Sequence, residues 1–130
     1  MSIFKTLGNM FSTKMEVEEN FGWHNISTPE EVTDVLAASN EKPQVIYKHS
    51  PTCAISYLAL KNLEGISDDY RKKAEYHIID VVGQRSLSNH ISEKLAIRHE
   101  SPQMFVIKEG EVIWNGSHHQ VKSNVISELL

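Results

Sequence analysis

The sequence holds a single cysteine in 130 residues. No disulfide can form within the chain, and no zinc or iron–sulfur site built from several cysteines fits inside it. Long apolar runs are missing as well. None approaches the roughly 20 residues of a membrane-spanning helix, and polar residues break the one apolar stretch near the start, so neither a span nor a secretory leader is expected. Charge of one sign is scarce too: Lys+Arg 13 against Asp+Glu 17 leaves a formal net charge of -4, with no block of either sign. That balance gives no electrostatic footprint for nucleic acid and no charged interaction tail. What remains is a chain with 40% hydrophobic residues, enough for one domain with its own core, expected in the cytoplasm.

Ile3, Phe4, Leu7, Met10 and Phe11 follow helical spacing before Glu16, Glu18 and Glu19, so residues 1–20 read as an N-terminal amphipathic extension to a domain at 21–130. Residues 23–26 read as a short strand. Thr28 is placed to cap a helix, with Pro29 in its first turn, Glu31 at the capping-box position and Val32, Val35 and Leu36 on one face. Residues 44–48 form a buried strand around Val45, Ile46 and Tyr47. A second helix follows Ser50-Pro51-Thr52, with Ile55, Leu58, Ala59, Leu60 and Leu63 as its apolar positions and Gly65 as its stop. Further on come a strand at 76–82, a helix at 87–96 with Ile91 and Leu95 facing in, strands at 103–107 and 111–114 joined through Gly110, and a last helix at 121–130. Strand–helix–strand units imply parallel pairing, and the closing hairpin adds antiparallel strands. The fold class is α/β: a central mixed sheet flanked by helices on both faces.

Cys53 falls where a central strand hands over to a helix, at the carboxyl end of the sheet, where open α/β folds place their sites. A thiol reacts as thiolate, and the unpaired amides and macrodipole of a helix N-terminus favour that anion. Ser56, three residues on, can turn its hydroxyl toward the sulfur. Composition alone leaves Cys53 either a packed inert thiol or a reactive one. Lys48 and His49 read as solvated charges at the end of the strand. Ser101-Pro102 opens the strand at 103–107, a position proline tolerates; a cis bond there would expose the Ser101 backbone to a substrate strand. His118 and His119 read as surface residues without metal-ligand spacing, and Trp23 and Trp114 as packing residues.

The segment from Val45 to Ser56, with Ser50-Pro51-Thr52-Cys53-Ala54-Ile55-Ser56 at its end, resembles the active-site strand–turn–helix of thioredoxins and glutaredoxins, with Ser56 in place of the second cysteine. Ile97 to Glu111 resembles their cis-proline loop and terminal hairpin, and Asp80 and Gly116 stand at typical positions. The Thr52-Cys53-Ala54-Ile55-Ser56 core after His49-Ser50 is similar to the YtxJ family of monothiol bacilliredoxins. Ala54 departs from the usual proline, and Tyr47 stands where thioredoxins carry a buried acid. The resemblance implies a thioredoxin-like fold and exchange of mixed disulfides through Cys53. Thr52, Ser56, Ser101 and Pro102 would contact the substrate. It implies no tightly bound cofactor or metal; bacillithiol or a similar small thiol would be co-substrate and S-thiolated proteins the clients. The alternative is a non-catalytic carrier, such as a dimer holding an iron–sulfur cluster through one Cys53 from each chain.

Overall fold

The computed structural model describes residues 17–130, so the apolar spacing between residues 3 and 11 lies outside it. The elements run β1 (His24–Asn25), α1 (Pro29–Ala38), β2 (Gln44–His49), α2 (Ala54–Glu64), α3 (Asp68–Arg71), β3 (Glu75–Asp80), α4 (Arg85–Leu95), β4 (Gln103–Lys108), β5 (Glu111–Ser117) and α5 (Ser123–Leu129). The sheet order is β1-β3-β2-β4-β5. β1 and β2 pair parallel with β3, while β4 runs antiparallel to both β2 and β5. The expected mixed sheet is present. The four-residue α3 was not expected; it is too short to leave a periodic signal.

Side-chain alternation sorts the core into two layers. Val45, Tyr47, Tyr76, Ile78, Met104 and Val106 meet Leu60 and Leu63 of α2 and Ile126 of α5. Ile46, Ile79, Phe105 and Ile107 meet Val32 and Val35 of α1 and Leu87 and Ile91 of α4. Helices thus cover both faces, and β2, buried at all six residues, reads as a near-continuous run rather than an alternating one. Burying a side chain of this kind contributes about 1.5–3 kcal/mol, so the layers outweigh any single polar contact.

Local signals set the boundaries. Thr28 caps α1 in a full capping box with Glu31, as its spacing predicts. α2 stops at Glu64 with Gly65 as its cap, but Gly65 has φ -84 and ψ 3 rather than the left-handed conformation. Trp23 stacks on Phe21 at 4.8 Å and donates its Nε1–H to Glu64 at 2.8 Å, a packing role. Val17 packs on the same cluster. On β5 the register shifts between Val106 and Ile107: Trp114 pairs with Val106, and Val112 with Ile107. The extra residue, Ile113, is a bulge that reverses the phase of the strand. Trp114 therefore joins the α2 layer while Val112, two residues away, joins the α1 layer.

His77 is buried on β3, between β1 and β2, with Nε2 2.6 Å from the Gln44 side-chain oxygen. Gln44 spends its amide hydrogens on the Lys42 carbonyl and Glu75, so His77 must be the donor in this pair. Burial, aided by neighbouring His24, takes the imidazole down to about 4. Between pH 6.5 and about 4 the unfolded chain takes up a proton that the native state refuses. His77 therefore withdraws stability as pH falls through that window, on the order of 3 kcal/mol in full. Urea melts of wild type and His77→Gln between pH 7 and 4 should show a flatter slope in the variant; parallel slopes would contradict this.

Candidate active site

The turn after β2 is closed by its own backbone. The Cys53 amide donates to the Ser50 carbonyl at 3.1 Å, and the Ser50 amide donates to Ser56 Oγ at 3.2 Å. Cys53 is the N-cap of α2, extended at φ -107 and ψ 124, with no side-chain capping bond. Its carbonyl accepts the Tyr57 amide at 3.0 Å. The first amides of α2, which have no carbonyl of their own to pair with, open at this end of the helix. Cys53 is a free thiol of intermediate exposure, flanked by exposed Thr52 and Ala54. Ala54 begins α2 despite replacing the expected proline.

Beneath the turn, Ser56 is fully buried and held at two atoms. Its Oγ takes the Ser50 amide and its carbonyl accepts the Tyr47 hydroxyl at 2.7 Å. Tyr47 is itself fully buried, and burial pushes its phenol well above the ordinary tyrosine range. The residue at the buried-acid position is therefore a neutral donor that braces the helix, with no proton to trade near neutral pH.

The second arm is the Ser101–Pro102 peptide, which is cis. Lys48 pairs with Gln103 across β2 and β4, so the chain leaving β2 toward Cys53 and the chain entering β4 from Ser101 lie at the same end of the sheet. Pro102 is buried, and its carbonyl accepts the His118 amide at 2.9 Å. The Ser101 hydroxyl is buried and has no hydrogen-bond partner among the described residues. Gln103 holds the preceding loop, donating to the Arg98 carbonyl at 2.9 Å and accepting the Glu100 amide at 3.1 Å. Gly116 completes this corner, because a Cβ there would run into the Trp114 ring. At the end of β3, the Asp80 carboxylate accepts the Val82 and Gly83 amides. Cys53, Thr52, Ser56, Ser101 and Pro102 are thus gathered at one end of the fold.

Two readings need correction. Lys48 and His49 are not solvated charges: both are buried inside β2, on opposite faces. His49 lies beside the Tyr47 ring, with centroids 5.6 Å apart. Lys48 lies under α4, where Nζ donates to the Ser88 carbonyl at 2.9 Å, Ser92 Oγ at 2.8 Å and His99 Nδ1 at 3.1 Å. Its aliphatic stem suits the apolar layer, and local partners at the tip replace water. Its phase with Ile46 in a strand covered on both faces is the signal that marks it as buried. Ile55 and Leu58, in turn, are exposed at 55% and 67%. They border a groove of about 250 Å³ with Val121, His118, His119 and Lys122. The two histidines are exposed, as expected, on a tight turn.

Known structures share this fold. One solved as a candidate oxidoreductase with a thioredoxin fold is 28% identical, with a TM-score of 0.73 over 84% of this chain and 94% of that one. Thioredoxin O2 from Arabidopsis thaliana in its oxidized state is 17% identical, with a TM-score of 0.65 over 85% and 92%. The thioredoxin of Fasciola hepatica is 13% identical, with a TM-score of 0.62 over 82% and 94%. These likenesses give the fold: thioredoxin-like. The family is given by residues 24–126, which match monothiol bacilliredoxin BrxC. This chain belongs to the monothiol bacilliredoxins.

Proposed function

We propose that the protein exchanges mixed disulfides between client proteins and a low-molecular-weight thiol, bacillithiol or one like it, through Cys53. The observation that carries this reading is a lone, partly accessible thiol at the start of α2, facing the same end of the sheet as a cis-proline loop. The Cys53 thiolate attacks the small-thiol sulfur of a client mixed disulfide. The client sulfur leaves as thiolate, and the small thiol stays on Cys53 as a new mixed disulfide. A second small-thiol anion attacks that adduct, releasing Cys53 and the symmetrical small-thiol disulfide. The client is reduced, and one free small thiol is oxidised as it joins the small thiol that the client carried in a symmetrical disulfide. Because Ser56 replaces a second cysteine, the resolving sulfur comes from outside the chain.

The remaining residues position the partners. Thr52 and the Ser101 backbone, beside Pro102, receive the substrate strand. Ser56 braces the turn beneath Cys53, with its oxygen on the Ser50 amide and its carbonyl on the Tyr47 hydroxyl. Tyr47 acts through Ser56 and takes no part in proton transfer.

Cys53→Ser should abolish release of bacillithiol from an S-bacillithiolated client while leaving the melting temperature near that of wild type. Intact-mass detection of the adduct on wild type alone would agree; undiminished release by the variant would defeat the proposal. Tyr47→Phe removes one buried hydrogen bond and should cost about 1 kcal/mol in stability. The pH dependence of its exchange rate should match wild type, whereas a lost limb of the profile would make Tyr47 an acid–base group.

A further inference from the structure

Lys48 is 0% exposed, and none of the ion pairs among the described residues includes it. An ammonium buried without a carboxylate opposes folding, and an apolar side chain of similar volume would serve the layer as well or better. The stability of the core therefore gives no account of this residue. Its contacts do. The ammonium reaches α4 at two points, the Ser88 carbonyl and Ser92 Oγ, and its third contact is His99 Nδ1. An ammonium only donates, so His99 accepts at Nδ1 and carries its proton on Nε2. Burial, then the nearby Lys48 and Arg85 charges, holds His99 below its ordinary range, which keeps that acceptor available. Lys48 is lowered by burial only to about 8 and remains mainly protonated at neutral pH.

His99 lies two residues before Ser101. The loop between α4 and β4 leaves the helix at Ala96, which is left-handed at φ 56, and is then tied at two places. The Gln103 side chain grips the backbone at Arg98 and Glu100, and Lys48 grips the side chain of His99 at Nδ1, with Ser88 Oγ at a longer 3.4 Å from the same atom. Lys48 and Gln103 are paired across β2 and β4. One rung of the sheet thus ties the approach to the cis-proline, with Lys48 contributed by the strand that delivers Cys53.

We infer that Lys48 is a positioning residue for disulfide exchange, setting the Ser101–Pro102 loop against Cys53 through His99. This rests on the proposed exchange at Cys53 and adds to it the group that holds the substrate arm. The lysine touches no reacting atom; it acts through the imidazole.

The test compares Lys48→Met, His99→Leu and His99→Asn in full-length protein, the last because Asn Oδ1 can accept where Nδ1 does. With a bacillithiolated client protein, kcat/KM should fall about tenfold in Lys48→Met and His99→Leu, carried by KM, and stay near wild type in His99→Asn. The double variant Lys48→Met/His99→Leu should be no worse than either single one. Alkylation of Cys53 by iodoacetamide, which needs no loop, should be unchanged, and the melting temperature of Lys48→Met should equal or exceed that of wild type. Hydrogen exchange should quicken at the Glu100 and Ser101 amides and not in α2. Undiminished kcat/KM in Lys48→Met, or a loss accompanied by equal losses in melting temperature and alkylation, would overturn the inference. Should wild type exchange no mixed disulfide, the reading of Cys53 fails, and the loop hydrogen exchange alone decides whether Lys48 holds His99.

Discussion

No face of β2 meets water, and much of the structure follows from that constraint. A strand buried on both sides needs neighbours along both edges, which β3 supplies in parallel and β4 in antiparallel. It also needs cover above and below, and this fixes α2 on one face and α4 on the other. Because its backbone is locked over six residues, the point where it ends is locked as well. The Cys53 turn inherits that rigidity from the sheet and adds its own hydrogen bonds to it.

The fold was legible because its signals are local and repeated. The capping box at Thr28 and Glu31, the apolar run at Val45–Tyr47 and the glycine-containing hairpin each specify one element, and together they allow few topologies. Cys53 and Ser101–Pro102 were legible for a related reason: a thiol and a proline at strand ends are conspicuous in any pattern. Lys48 and His49 were not, because a charged side chain reads as solvent-facing unless the depth of its strand is known. That depth comes from pairing partners about 30 and 60 residues away in sequence, which periodicity does not report. Ile55 and Leu58 failed in the opposite sense. Their helical positions are apolar, yet the layer stops at Ala59 and Leu60 and leaves them beside an open groove.

The two sides of the sheet carry different kinds of polar order. On the α2 side, Tyr47, Ser56 and Ser50 form a short neutral chain that stiffens the turn around the thiol. On the α4 side, a cation is dissolved in apolar surroundings by two serines and an imidazole. Both reach the same end of the molecule, one through the nucleophile's helix and the other through the loop facing it. A perturbation on either face thus arrives at the site by its own route.

The bulge at Ile113 has a consequence away from the chemistry. β5 is an outer strand seven residues long, and a straight strand of that length offers its free backbone as a template for another chain. An inserted residue breaks the even spacing of those amides and carbonyls and twists the strand locally. At the opposite border, β1 is only two residues long and exposed at both. The sheet is thus closed to extension at each margin, by irregularity on one side and by brevity on the other. A protein whose site depends on an open sheet end can keep that end open without inviting its copies to stack.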